Sequence, residues 1–364
     1  MRIAHVVTYV SADGAFGGPL TVATQQCREL VARGHDVHLV AGWDGKPSQE
    51  IPGVQQHLFR ATKVGPGLSG LVSPGLVRWV RSNAGSFDAI HIHSGRDLVS
   101  TSAMRAIRSY HGRLILQTHG MIMPDERLKA QLVDRLVIRA ALSQAASVLS
   151  LSDAESNGLR SVARSPINLM QITNGITREL SESTKNREQD LVIFLARLHP
   201  RKRVMAFVSA AKELLARGDA IRFEIWGPDE GDLPELENAL SSPEASRSIV
   251  YRGPVQPGLA RDVLSRAAVY VLPSYGEVFP MTVLEAMAAG TAVVTTHDSA
   301  IADRLASENS AVITDGTPET IATAIHELVA DPLHRSRVVE SANHALDTWL
   351  GIGHVVDQLE AIYQ

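Results

Sequence analysis

The feature that most constrains this chain is an alternation of short apolar runs with longer amphipathic stretches, and this alternation occurs twice. The apolar runs are typical of buried strands, and the stretches between them repeat apolar residues at helical spacing. In the first block the strand-like runs are 2–10, 35–42, 87–94, 113–120, 146–152 and 167–175. In the second block they are 191–198, 221–227, 248–253, 268–274 and 291–296. Strands that alternate with helices predict parallel sheets covered by helices on both faces.

Residues 176–190 separate the two blocks, because this segment is polar and carries no apolar periodicity. We therefore predict an α/β fold with two doubly wound domains, 1–180 and 181–342, that face each other across a cleft. A last helical segment, 343–364, is expected to kink at its glycines. The length of 364 residues suits two domains of ordinary size.

Composition narrows the class of protein. An apolar content of 45% with 20% charged residues is typical of a soluble globular chain. The single cysteine, Cys27, argues against a disulfide framework, and neither a membrane span nor a signal peptide is apparent, so a cytoplasmic location is expected. Residues 1–180 carry 19 basic and 13 acidic side chains, whereas residues 181–364 carry 16 and 26. The basic half predicts contact with an anionic partner or membrane surface, unless these charges are simply solvated.

The common nucleotide motifs are absent from the sequence. It has no G-K-[ST] phosphate loop, no G-x-G-x-x-G after the first strand and no D-x-D pair. His91 and His93 form an H-x-H on a strand, which could ligate a metal, but no third ligand with suitable spacing is evident. We therefore interpret these histidines as packing residues and predict no metal site.

The segment YGEVFPMTVLEAMAAG, residues 275–290, places two glutamates among apolar residues. Glu277 is expected in the loop after a buried strand, and Glu285 in the first turns of the next helix, where ligands bind in open α/β sheets. The alternative is a capping box, in which Glu285 reaches back to the amide of Thr282 and only starts the helix.

A second segment, ARLHPRKRV at 196–204, places Arg197 and Lys202 between a strand and a helix. The loop-to-helix junction at 277–282 adds backbone amides and a helix dipole that suit a phosphate. Glu285 can accept hydrogen bonds from ribose hydroxyls and Glu277 from those of a second sugar. A nucleoside diphosphate-sugar needs this combination of cations and carboxylates.

With these segments in view, the sequence resembles the retaining glycosyltransferases of family 4, which have the GT-B fold of two Rossmann-like domains. The resemblance covers nearly the whole chain. It is based on five segments in order, namely GGP at 17–19, THG at 118–120, TNG at 173–175, ARLHPRKRV and EVFPMTVLEAMAAGTAVVTT at 277–296.

The resemblance implies a role for each matching residue. Arg197 and Lys202 would neutralise the diphosphate leaving group, Glu277 would bind the transferred sugar and Glu285 the donor ribose. His119 would lie near the reacting carbon as a hydrogen-bond donor or electrostatic stabiliser, although a strand-end histidine without such a role is the alternative. The remaining donor contacts would come from Gly17 and Gly18, where backbone could approach the diphosphate, and from the amides around Phe279, Met281 and Thr282.

The resemblance also implies the reaction. It would be a metal-independent transfer of a hexose-type sugar, with retention of configuration and no cofactor, in polysaccharide or glycoconjugate biosynthesis. The first domain would bind a glycan, lipid-linked or small-molecule acceptor, the second the nucleotide-sugar, and 343–364 would cross back to the first. Ala196 and Val278 stand where glycine is common and Thr177 where aspartate is, which leaves the donor open.

Several alternatives remain. Segment 67–82, with Trp79 among apolar and basic residues, is either an ordinary core helix or a peripheral membrane contact. For the whole chain, the rivals are a GT-B sugar-nucleotide epimerase, a phosphorylase, a non-catalytic sugar-nucleotide binder and a dinucleotide-dependent oxidoreductase. No motif for a pyridoxal lysine stands out, and a decayed binder should have lost one of the four charged residues that are all present.

Overall fold

The computed structural model describes residues 1–11, 17–47, 50–65, 67–178, 187–242, 247–256 and 258–364. These residues form two compact units. Unit 1 comprises Met1–Gly175 together with Ile352–Gln364, and unit 2 comprises Ile176–Gly351. The predicted boundary between residues 180 and 181 and about half of the predicted linker lie outside the described residues.

Unit 1 is built on a seven-stranded sheet. Its strands are β1 Arg2–Val10, β2 Asp36–Trp43, β3 Gln55–Arg60, β6 Ala89–His93, β7 Arg113–Gln117, β8 Ser147–Ser150 and β9 Leu169–Gln171, with a separate hairpin of β4 Thr62–Lys63 and β5 Leu71–Val72. Its helices are α1 Gly17–Ala32, α2 Pro74–Asn83, α3 Leu98–Ala106, α4 Leu128–Val133, α5 Arg139–Gln144, α6 Asp153–Ala163 and the chain's last helix, Ile352–Tyr363. A π-helical turn, Asp134–Ile138, joins α4 to α5, and 3₁₀ turns occupy Leu68–Gly70 and Ala84–Ser86.

Unit 2 is built on a six-stranded sheet. Its strands are β10 Glu188–Leu195, β11 Arg222–Trp226, β12 Ile249–Gly253, β13 Ala267–Leu272, β14 Ala292–Thr296 and β15 Val312–Thr314. Its helices are α7 Val204–Ala216, α8 Leu233–Ala239, α9 Ala260–Arg266, α10 Met281–Ala288, α11 Ala302–Ser307, α12 Pro318–Ala330 and α13 Pro332–Ala345; the last helix of the chain is therefore α14. A 3₁₀ turn covers Pro200–Lys202 and a π-helical turn Leu346–Leu350.

The two sheets share one strand order. In space the strands run β3-β2-β1-β6-β7-β8-β9 in unit 1 and β12-β11-β10-β13-β14-β15 in unit 2, and the neighbouring strands are parallel. The order reverses between β1 and β6 and between β10 and β13, which is where doubly wound sheets bind ligands. The predicted fold class, two Rossmann-like α/β domains, is confirmed.

Every predicted strand is present, but four further strands were not predicted: β3 and β15 in the two main sheets, and β4 and β5 in the separate hairpin. β3, Gln55–Arg60, is only partly buried and reads QQHLFR, so it carries neither a continuous apolar run nor a clean alternation. β15 has three residues, which is too short for a periodicity to emerge. β3 and β15 are each an edge strand of their sheet, where burial constrains the sequence least.

The segment 343–364 is not one kinked helix. α13 runs into the π-helical turn, Gly351 takes an extended conformation, and α14 begins at Ile352. A Cβ at Gly351 would lie 2.4 Å from the Leu346 carbonyl oxygen, so this break requires glycine. Within unit 1, Arg33, the residue directly after α1, anchors α14 through hydrogen bonds to Asp357 at 2.5 Å and Glu360 at 2.8 Å.

The packing of helix α2 distinguishes between the two interpretations of segment 67–82, a core helix and a peripheral membrane contact. Leu76 and Val80 are buried, and the partly buried Val77 and Trp79 pack against the same core. The Trp79 ring lies 4.3 Å from the His57 ring, centroid to centroid. These residues are therefore core residues, and the predicted membrane contact through this segment finds no support. Among the described residues, no helix has both the length and the apolarity needed to cross a membrane.

Candidate functional site

The loop after β10 forms one part of the candidate site in unit 2. The Lys202 amide donates to the His199 carbonyl at 2.7 Å, which closes the 3₁₀ turn. Arg203 then takes a left-handed conformation with φ +55°, and α7 begins directly after it. Because the backbone fixes this turn, it also fixes the point from which the Lys202 side chain extends.

Lys202 and Glu277, predicted to bind the diphosphate and the transferred sugar, form an ion pair with each other. Their side chains are 17% and 18% exposed. Glu277 lies in the loop after β13, and its amide donates to the Asp298 carbonyl at 3.0 Å. β10 and β13 are neighbours at the point where the strand order reverses, so the sheet brings together two residues 75 positions apart. A diphosphate and a sugar hydroxyl could each replace one half of this pair.

Arg197, the other predicted diphosphate ligand, is paired elsewhere. Its guanidinium donates to both carboxylate oxygens of Glu230 at 2.8 Å, and half of the Arg197 side chain is exposed. Glu230 lies in the loop after β11, and no motif in the sequence pointed to it. An exposed pair of this kind is weak, so a diphosphate can compete with Glu230 for Arg197.

A second backbone connection joins the loops after β10 and β13. The Tyr275 amide donates to the Arg201 carbonyl at 3.0 Å, and the Arg201 guanidinium donates to the Gly276 carbonyl. Gly276 has φ +60°, a conformation that glycine adopts without strain. Sequence reasoning did not identify Arg201, because a contact to a backbone carbonyl leaves no pattern in the sequence.

Helix α10 begins within the segment 275–290 that carries both glutamates. Pro280 is the N-cap residue, and the first amides of the helix have no intrahelical acceptor by position. Phe279 is buried just before it, and Met281 is the first helical residue. The Thr282 hydroxyl accepts a hydrogen bond from the buried Tyr270 hydroxyl at 2.8 Å. The capping-box interpretation is therefore wrong, because Thr282 lies inside the helix and its oxygen is engaged with the sheet.

Glu285 lies one turn further along α10 and is half-buried. Burial raises the pKa of its carboxyl to about 7. Within the part of the chain that the structure describes, no group donates a hydrogen bond to this carboxyl. A carboxylate that is removed from water without a partner is costly, so the site gains stability when a ligand supplies hydroxyl donors.

In unit 1, the predicted THG motif forms a strained loop after β7. His119 has φ +50°, and the Glu155 carboxylate accepts hydrogen bonds from the Thr118 hydroxyl and the Gly120 amide. Glu155 also accepts from the Leu151 amide at 2.7 Å, while its own amide donates to Ser152 at 3.1 Å. Ser152 is therefore the N-cap residue of α6. The Glu155 side chain additionally holds the His119 loop, which the sequence did not reveal.

The TNG motif is tied to the same region of unit 1. The buried Gln117 side chain donates to Asn174 at 3.3 Å and accepts from Gln26 at 3.2 Å. A Cβ at Gly175 would lie 2.7 Å from the Ile352 backbone at the start of α14. Glycine is thus required in TNG by the packing of the terminal helix.

Gly17 and Gly18, predicted to approach the diphosphate, are the first residues of α1. Residues 12–16 before them lie outside the described residues. Gly18 is exposed, and a Cβ there would meet no atom of the described residues within 4 Å. The described part of the fold therefore gives no packing reason for glycine at position 18, which leaves a ligand as a reason for it.

The H-x-H pair gains a third histidine in the structure. His5 of β1 pairs with His91 of β6, and the ring nitrogens of His5, His91 and His93 lie within 4.8 Å of one another. These three are the one such group of potential metal ligands in the described ranges, and they include no carboxylate that could offset the charge of a divalent ion. Instead, His5 and His93 are hydrogen-bonded to each other, His93 also to His119, and His5 and His91 to Tyr363. The Nε2 atom of His91 has no hydrogen-bond partner among the described residues. The sequence analysis had not found His5 as a third member, and the absence of a metal site stays a prediction.

Comparison with known families identifies the chain. Residues 17–175 match the family described as "Glycosyl transferase 4-like domain", and residues 189–331 match "Glycosyl transferases group 1". The two matches lie in unit 1 and unit 2, respectively, and together cover most of the chain.

The chain belongs to the family 4 glycosyltransferases of the GT-B fold.

This family 4 glycosyltransferase is similar to the D-inositol 3-phosphate glycosyltransferase of Nocardiopsis dassonvillei, with 26% identity over 66% of this chain and 59% of the relative. It also matches the alpha-D-kanosaminyltransferase of Streptomyces kanamyceticus, with 26% identity over 62% of each chain. The matches thus span about three fifths of these relatives. Among solved structures, Anabaena HepE in complex with UDP has 18% identity, covers 99% of both chains and superposes with a TM-score of 0.74.

Proposed function

We propose that this glycosyltransferase transfers a hexose-type sugar from a nucleoside diphosphate-sugar, with retention of configuration and without a metal ion. Unit 2 would bind the donor and unit 1 the acceptor. The observation that carries the proposal is the Lys202–Glu277 ion pair at the switch point of the unit 2 sheet, beside the start of α10.

Each charged group has a proposed ligand. Lys202 would exchange Glu277 for the diphosphate, and Arg197 would do the same with Glu230. The released Glu277 carboxylate would accept hydrogen bonds from the transferred sugar, and the amides of Met281 and Thr282, next to Phe279, would face a phosphate or the sugar. Glu285 would accept hydrogen bonds from the ribose, which satisfies a half-buried carboxyl that lacks a donor in the described structure.

The donor nucleotide is proposed by analogy. HepE has been solved with UDP and with UDP-glucose, and those structures superpose on this chain with TM-scores of 0.74 and 0.73. We therefore propose a uridine diphosphate-hexose as the first donor to test. The relatives' names favour a small polar acceptor over a lipid-linked or polymeric glycan, and the basic side chains of unit 1 suit a phosphorylated one.

In the proposed chemistry, the acceptor hydroxyl oxygen attacks the anomeric carbon on the face from which the diphosphate leaves. The carbon–phosphate oxygen bond breaks, and the departing phosphate takes the acceptor's proton. Arg197 and Lys202 stabilise the charge on the leaving group, which a metal ion does in other enzymes. His119, Gly17 and Gly18 of unit 1 would contact the donor at its reacting carbon and diphosphate, and no covalent nucleophile is needed.

The proposal is tested by isothermal titration calorimetry with UDP, GDP, dTDP and ADP, each in the presence of EDTA or Mg²⁺. We expect one nucleotide to bind equally well in both conditions. Slow hydrolysis of the matching nucleotide-sugar, followed by proton NMR, should release the sugar with the donor's anomeric configuration. Binding that needs Mg²⁺ would overturn the metal-free site, the opposite anomer would overturn retention, and no binding at all would overturn the donor site.

A further inference from the structure

A continuous chain of hydrogen bonds runs through the sheet of unit 1. His119 Nε2 lies 2.9 Å from His93 Nδ1, and His93 Nε2 lies 3.1 Å from His5 Nδ1. His5 Nε2 lies 3.4 Å from the Tyr363 hydroxyl, which lies 2.7 Å from His91 Nδ1. The chain thus connects the loop that follows β7 with the penultimate residue of the protein, 244 positions away.

The members of this chain are enclosed and neutral. His5, His91, His93 and Tyr363 are buried, and neighbouring rings pack in tilted or stacked contacts 4.6–5.4 Å apart. Burial lowers the pKa of His5 and His119 to about 3, and it also lowers the pKa of His91 and His93. Each imidazole therefore carries one N–H and one bare nitrogen at neutral pH.

Neutral rings in series can take only two arrangements. If the Tyr363 hydroxyl donates to His5, then His5 must donate to His93, and His93 to His119, whose own hydrogen is then on Nδ1. If Tyr363 donates to His91 instead, every link reverses and the hydrogen of His119 is on Nε2, but His91 then carries its own hydrogen on Nε2, which has no acceptor among the described residues. Because a buried N–H without an acceptor is costly, the first arrangement is favoured. Any mixture would make two N–H groups, or two lone pairs, face each other at hydrogen-bonding distance between buried rings.

We propose that Tyr363, His5 and His93 are positioning residues that hold His119 in a single tautomer. The last helix of the chain thereby determines whether His119 offers a hydrogen-bond donor or an acceptor at Nδ1. This inference deepens the proposed function, because it depends on His119 meeting the donor sugar for its catalytic consequence, but the tautomer itself does not depend on that role.

The alternative role for a cluster of histidines is to bind a metal ion. A divalent ion at His5, His91 and His93 would have to break the His5–His93 hydrogen bond, and the group has no carboxylate to balance the charge. The geometry therefore favours the hydrogen-bonded chain over a metal centre.

The test is long-range ¹⁵N–¹H correlation NMR of the protein labelled with ¹⁵N-histidine, which distinguishes protonated from bare ring nitrogens without any substrate. His119→Asn assigns the His119 signals by their loss. We expect a single His119 tautomer in the wild type and both tautomers in Tyr363→Phe, which removes only the hydroxyl. His93→Phe, which breaks the link next to His119, should have the same effect.

Tyr110→Phe is the matched control, because the Tyr110 hydroxyl donates to the Phe87 carbonyl at 3.0 Å and lies outside the chain. It should leave His119 in one tautomer. Mixed tautomers in the wild type, or an unchanged His119 signal in folded Tyr363→Phe and His93→Phe, would overturn the inference. None of these outcomes depends on nucleotide binding, so failure here and failure of the proposed function are distinguishable.

Discussion

The two units place different chemistry at the same topological position. Both sheets reverse their strand order at a central pair of strands, β1–β6 in unit 1 and β10–β13 in unit 2. In unit 2 the loops at this point carry ion pairs that water still reaches, Lys202–Glu277 and Arg197–Glu230. In unit 1 the same pair of strands carries buried, neutral histidines that bond to one another. The fold provides the position, and the degree of burial decides whether charges or neutral donors occupy it.

The largest expected effect concerns the charged side of this comparison. Lys202→Ala should lower kcat/KM about 100-fold to 1,000-fold, because the leaving diphosphate loses a preorganised cation. Steady-state kinetics with the nucleotide-sugar identified by calorimetry measure this. Lys212→Ala is the matched control, since the exposed Lys212 ammonium donates to the Ala239 carbonyl, and it should leave kcat/KM unchanged. A loss below about threefold in Lys202→Ala would remove that residue from the reaction.

The next test distinguishes the proposed roles of Glu277 and Glu285 in unit 2. Glu285→Ala should weaken nucleotide binding about 10-fold to 100-fold, since hydrogen bonds to a charged group are lost. Glu277→Ala should leave the affinity for the nucleotide diphosphate unchanged or improve it, because Lys202 is released, while transfer slows. Calorimetry and kinetics on both variants give the comparison. Equal losses of nucleotide affinity would contradict this division of roles.

The two units should also respond to pH with opposite signs. The pKa of Glu285 is raised from 4.5 to about 7 in the folded protein, so its contribution to stability is full below pH 4.5 and is lost as pH rises to 7. The pKa of His119 is lowered from 6.5 to about 3, so the unfolded chain binds the extra proton, and stability falls as pH drops below 6.5.

Urea unfolding at pH 5 and pH 8 measures these opposite slopes. Relative to the wild type, His119→Gln should gain about 2 kcal/mol more at pH 5 than at pH 8, because 1.5 pH units of proton uptake are removed. Glu285→Gln should gain between about 1 and 3 kcal/mol more at pH 8 than at pH 5, a range that allows for the partial exposure of the carboxyl. If both substitutions changed the pH dependence of the unfolding free energy in the same direction, the predicted contrast between the two units would be refuted.

The smallest expected effect concerns Gly18 of unit 1. Gly18→Ala should raise the free energy of unfolding by up to about 1 kcal/mol, because alanine favours the helix and its Cβ meets no neighbour among the described residues. If donor backbone contact is the reason for glycine there, the donor KM should nevertheless rise. Gly85→Ala, another position where a Cβ meets nothing within 4 Å, should leave KM unchanged. Identical KM values in both variants would remove Gly18 from the site.

The two sheets and most of their strands could be predicted because periodicity reports burial locally. The stretches 191–196 and 268–272 of two predicted runs are apolar throughout, and a strand that is covered on both faces needs this. β3 and β15 were not predicted, because a partly buried strand and a three-residue strand do not produce a continuous apolar run. The opposite error occurred at Thr282, where a local capping pattern was present but a tertiary contact with Tyr270 used its oxygen.

The sequence by itself determined the architecture and the chemical types at the donor site, because strand and helix periods and the positions of Arg197, Lys202, Glu277 and Glu285 are local properties of the chain. Only the tertiary structure decided the partners of these residues. Glu230 beside Arg197, Glu155 beneath the His119 loop, and His5 with Tyr363 behind it come from distant segments. Sheet register and loop packing bring such segments together, and neither is encoded in the spacing of residues along the chain.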